Sequence, residues 1–167
     1  MQDGNVRLTS GALAGLVATA PMTVAMRALW EKLPENERYP APPREIVDRT
    51  TGGGAATALL SHFAYGALCG VLFAAGTRRS LGEGVAFGVG VWAASYLGLL
   101  PSLGVLRPAW AHPPRRTALM LCAHVAWGAA TALACKELER ASETAFSAGP
   151  AKDASVRPKS RGRFAKS

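Results

Sequence analysis

Charge is missing from four long stretches of this sequence, and that absence excludes most soluble folds. Residues 8–26, 55–75, 84–100 and 117–135 contain no Asp, Glu, Lys or Arg. A helix of a soluble bundle carries a polar face, and none of these stretches supplies one. Cysteine is also scarce. Cys69, Cys122 and Cys135 are an odd number, form no CxxC pair and lie within or at the end of apolar runs. That excludes a disulfide framework or a zinc site and leaves them as small apolar fillers. Motifs of catalysis are lacking. There is no Walker loop, no G-x-S-x-G, no H-E-x-x-H and no carboxylate pair within a stretch; all 11 acids fall in loops, ends or tail. The reading is therefore against an enzyme, and no cofactor is called for. Nor is there a basic stripe with interleaved aromatics, the pattern of a stacking platform, so nucleic acid is excluded as a partner.

What the 167 residues do contain is apolar length. The expected fold class is an all-α membrane protein with four transmembrane helices, over about residues 8–30, 55–75, 84–100 and 117–135. The uncharged part of the first, 19 residues long, rises roughly 28 Å as a helix, close to the hydrocarbon thickness. Ala18-Thr19-Ala20 resembles a signal-peptide cleavage site, but Pro21 follows at once and the apolar run continues. An uncleaved helix, kinked or loosened at Pro21, is the better expectation. Pro101 is expected to end or kink the third span, and residues 45–49 to begin an interfacial helix. The domain is placed at residues 1–140. Residues 141–167 are expected to form a disordered basic tail able to lie on anionic lipid headgroups.

The net charge of +8 has a membrane explanation, because basic residues flank the spans. Four spans put both termini on one side, which carries eleven Lys and Arg against eight on the other. Much of that margin lies in the distant tail, so Arg78-Arg79 in the tight loop between spans two and three is the better guide. Cytoplasmic termini are expected.

The chain also resembles itself. His62-Phe63-Ala64-Tyr65-Gly66-Ala67 and His124-Val125-Ala126-Trp127-Gly128-Ala129 share H-x-A-aromatic-G-A. Tyr39-Pro40-Ala41-Pro42-Pro43-Arg44 and Trp110-Ala111-His112-Pro113-Pro114-Arg115 share aromatic-x-x-P-P-R. Gly11 and Gly15, like Gly84 and Gly88, open spans one and three with the same small-residue spacing. The expectation is two parallel repeats, each a helical hairpin, related by a pseudo-two-fold axis along the membrane normal.

The segments APMTVAMRALWEKLPENERYPAPPREI, HFAYGAL, VWAASYLGLLPSLGVL and RRTALMLCAHVAWGA resemble the YagU-like family of small bacterial inner-membrane proteins. The resemblance covers residues 8–135 and not the tail. It implies a four-helix inner-membrane protein and carries no activity with it.

His62 and His124 are the sharpest candidates for chemistry, because a polar group in hydrocarbon is costly and needs a use. They should sit at similar depth. Three uses are open: helix–helix hydrogen bonding, a proton or solute path, and axial ligation of a haem. Helix–helix bonding is the expected one. Gly11, Gly15, Gly66, Gly70 and Gly128 fall at four-residue spacing on single helix faces and are expected to allow close helix packing. Arg44 and Arg115 hold equivalent places after prolines and either bind headgroup phosphate or serve as interfacial residues of a stiff turn. Trp30, Tyr39, Trp110 and Tyr96 read as interfacial anchors, and Trp92 and Trp127 as packed between helices. The function expected is a structural, stress-related or accessory membrane protein, a homo-oligomer in the bilayer. The alternative is a small transporter or proton conductor working through the histidine pair.

Overall fold

The structure, a computed structural model, describes residues 2–76 and 80–145. Arg78, Arg79 and the tail from residue 146 lie outside the described residues. The described residues form an all-α bundle with four helices long and apolar enough to cross a membrane: Gly4–Trp30, Ala55–Ala75, Leu81–Ser102 and Pro114–Ser142. These coincide with the four expected spans: the second has the expected bounds, and the other three are extended by a few residues where the helix continues beyond the apolar run.

Helix α1 (Gln2–Trp30) passes Pro21 without a break. The hydroxyls of Thr19 and Thr23 bond back to the carbonyls of Gly15 and Thr19, both at 2.7 Å, which hides them from an apolar surround. Helix α2 (Pro42–Thr50) starts on two prolines, whose missing N–H groups cost nothing in a first turn. It is amphipathic and short, and it begins at Pro42, ahead of the expected start at residue 45. Helix α3 (Ala55–Ala75) ends at Gly76, where the Arg7 guanidinium donates to the carbonyls of Ala74 and Gly76 at 3.1 and 3.0 Å. Those carbonyls are the orphan acceptors of a helix end.

Helix α4 (Leu81–Ala93) opens with a capping box. The Ser80 hydroxyl accepts from the Glu83 N–H at 3.3 Å, and the Glu83 carboxylate accepts from the Ser80 N–H at 2.9 Å. Pro101 does not stop this span. The helix widens into a π-helical turn, Ala94–Leu99, and continues as the short α5 (Leu100–Ser102). A proline cannot donate to the carbonyl four residues back and its ring crowds it; one extra residue per turn upstream relieves both. Gly104 then takes φ +66° and ends the span, with Val105 N–H on Leu100 O and Gly104 N–H on Pro101 O, a Schellman closure. Helix α6 (Pro114–Ala145) runs past the boundary placed at residue 140.

Helix α1 packs on α3 and on α6, and α6 packs on α4; α3 and α4 barely touch. The two antiparallel pairs meet through glycine. A Cβ on Gly15 would strike the carbonyl of Gly66 and the Cα of Gly70, and a Cβ on Gly84 would strike the carbonyl of Gly128. Backbone therefore rests on backbone, which is how helices associate where lipid gives no hydrophobic drive. Thr19 and Thr131 are fully buried, while Leu60 is 72% and Val24 70% exposed. Polar groups inside and large aliphatics outside suit a lipid surround.

Candidate functional site

Where α3 and α4 fail to close, the bundle holds a cavity of about 300 Å³. Met22 and Met26 of α1, Met120 and His124 of α6, His62 and Tyr65 of α3, and Ser95 and Tyr96 of the π-turn line it, with Pro42, Ile46 and Val47 of α2 across one end. Its volume lies at the low end for small-molecule sites, and apolar walls with a few polar groups are typical of them. A smaller space of about 20 Å³ is again lined by both histidines, with Thr19, Cys69 and Trp127.

His124 is 8% exposed, and its Nδ1 donates to the Met120 carbonyl at 2.7 Å within the same helix. In the neutral ring that leaves Nε2 as an acceptor. His62 makes no hydrogen bond among the described residues. Neither ring bonds to another helix. The bonds that do cross between spans come from elsewhere. The Trp127 indole N–H is shared by the Gly15 carbonyl at 3.3 Å and the Thr19 hydroxyl at 3.2 Å, tying α6 to α1. Tyr65 and Ser95 share a hydrogen bond of 3.1 Å across the α3–α4 gap. The π-turn places Ser95 and Tyr96 inside the bundle while Leu97 and Leu99 remain exposed. Tyr96 is thus a buried cleft residue and not an interfacial anchor, because the added residue rotates it inward.

A second polar cluster adjoins the cleft at its loop end. Arg116 is 3% exposed. Its guanidinium lies 3.5 Å over the Tyr39 ring and donates to the carbonyls of Tyr39 at 2.9 Å and Pro40 at 2.5 Å. Glu45 of α2 lies 4.0 Å away. The Tyr39 hydroxyl bonds His112 Nδ1 at 2.5 Å, and His112 Nε2 donates to the Arg107 carbonyl at 3.0 Å. Burial pushes the Tyr39 phenol above its ordinary value of 10.0, against the pull of Arg116. Tyr96 Oη, Trp92 Nε1 and one Glu45 oxygen are buried near this cluster without a hydrogen-bond partner. A space of about 10 Å³ lined by Trp92, Tyr96, His112 and Arg116 is roughly the size of one water.

Of the residues singled out from sequence, His62 and His124 come together on one cavity. Gly11, Gly15, Gly66, Gly70 and Gly128 are all buried in helix contacts. Arg44 pairs with Asp48 on α2 at 2.8 Å, and Arg115 is exposed. Arg27 points outward and meets Glu31 at 3.5 Å, and Trp110 is 75% exposed. Sequence reasoning missed Arg116, Tyr39 and His112 as a unit. The signal available was the tandem Arg115-Arg116, since neighbours on a helix face different ways. The three cysteines are free thiols, and no group of three His, Cys, Asp or Glu among the described residues is arranged to hold a metal. Comparison of the chain with protein-family models, curated proteins and solved structures gives no match.

Proposed function

We propose that this is a non-enzymatic accessory protein of the bacterial inner membrane, of the YagU-like kind it resembles, and that its working surface is the α3–α4 cleft, which takes a small molecule from the bilayer. One observation carries the reading: two imidazoles line one mainly apolar cavity on the side where the helices barely meet. No Asp, Glu, Lys or Arg lines that cavity among the described residues, which suits an uncharged ligand.

In this reading the chain is two copies of one hairpin. Two glycine contacts support it, Gly15 with Gly66 and Gly84 with Gly128. If the H-x-A-aromatic-G-A motifs are superposed, Gly84 stands in the place of Gly15, one turn from the match the spacing alone suggests. The pairing α1–α6 has no counterpart in α3–α4, so the cleft is where one hairpin departs from the other. Termini in the cytoplasm follow from the Lys and Arg distribution, and self-association from the apolar faces of the spans.

The test is the ligand content of protein extracted with its surrounding lipid, by mass spectrometry and visible spectrum. The reading expects a compound enriched over bulk membrane and depleted by Ser61→Trp, which fills the cleft. Bulk lipid composition alone, unchanged in that variant, contradicts it. The shared cavity also fits a second reading, a proton path through His62 and His124. Proton flux into liposomes that survives His62→Ala with His124→Ala removes that one.

A further inference from the structure

We infer that the cleft selects neutral lipophiles carrying a free hydroxyl group, with His124 Nε2 as the acceptor that reads it. The inference rests on the binding role proposed for the cleft and names its ligand class.

The walls decide the charge of the ligand. No Asp, Glu, Lys or Arg lines the cavity among the described residues, so an ionised headgroup would enter without a counter-charge. Methionines, branched aliphatics, prolines and an alanine make most of the wall, which suits a hydrocarbon body. The route of entry is lateral. α3 and α4 barely touch, and Ser61 and Tyr65 of α3 and Leu99 of the π-turn are exposed.

The histidines decide the polar group. The His124 ring is held by its Nδ1–H on Met120 O at 2.7 Å, so Nε2 presents a lone pair in a fixed direction. An acceptor in an apolar wall rewards a donor. His62, on the same cavity and making no hydrogen bond among the described residues, offers its ring N–H. A hydroxyl suits both rings, because it can donate to the one and accept from the other. An ether or ester oxygen accepts only, and a hydrocarbon does neither.

The experiment uses the full chain in lipid nanodiscs, labelled by a diazirine-bearing hydrocarbon probe, with dodecanol or dodecyl methyl ether as competitor. The two competitors match in chain length and differ in the donor. Saturable labelling is expected, with dodecanol displacing the probe about fivefold to tenfold more strongly than the ether, the worth of one hydrogen bond. In His124→Phe the ratio falls to near one, while the ether competes as in the wild type. Equal displacement by the two compounds in the wild type overturns the hydroxyl inference and leaves the cleft a general lipophile site. Labelling that does not saturate, or that neither compound displaces, overturns the binding role as well. The wild-type comparison decides the matter even if His124→Phe fails to fold.

Discussion

Arg115 and Arg116 are adjacent, and the helix sends them in different directions. Arg115 is exposed, while Arg116 turns under Tyr39 and donates to two loop carbonyls. Lost bonds and an unpaired loop make Arg116→Ala cost about 3 kcal/mol, whereas Arg115→Ala should stay within about 0.5 kcal/mol. Thermal unfolding of both variants in detergent checks the contrast, and equal effects would contradict it. Tyr39 adds a pH dependence. Its folded pKa is raised by burial, so the folded state keeps the phenol proton longer than the unfolded chain does. Stability is therefore intact below about pH 10 and falls as pH rises beyond it. Tyr39→Phe should flatten that fall in a melting series at alkaline pH. From sequence, the two histidines were legible as a pair because both break an apolar run at matching places. Arg116 was not, because the motif comparison matched Arg44 to Arg115 and spacing alone does not say which arginine meets an aromatic ring.

Among the elements, the spans follow from hydrophobic length, and their ends from Trp30, the three glycines 52–54 that precede α3, Gly76 and the two arginines in the first turn of α6. Close packing at the glycines was legible in their spacing, since only hydrogen at Gly15 and Gly84 permits the backbones to meet; which helices they join was not. Gly15→Ala gains about 1 kcal/mol of helix propensity, but must push α3 away, at a cost of about 1–3 kcal/mol. A lower melting temperature is expected. Gly90 has open space around it, so Gly90→Ala keeps or raises the melting temperature. A loss as large as that at Gly15 would contradict the packing described. The π-turn was not legible. Pro101 warns of a disturbance, but nothing in the composition says that the chain answers with one extra residue at Ala94–Leu99 rather than with a stop.

For the whole molecule, periodicity and charge placed the four helices, but they carry no information on which helix neighbours which. The arrangement of α3 on α1, α1 on α6 and α6 on α4 depends on Trp127 reaching Gly15 and Thr19 and on Arg116 reaching the Tyr39 loop. Those contacts lie far apart in sequence, and they leave the α3–α4 side open. The cleft is therefore a consequence of asymmetry between two similar hairpins, and its worth depends on what solvent fills the gap. With large aliphatic side chains outward and threonines inward, that solvent should be lipid. Alkaline carbonate washing of membranes from cells expressing the chain tests this most directly. The protein should remain in the pellet and be released only by detergent; a monodisperse species in the detergent-free supernatant would contradict the account.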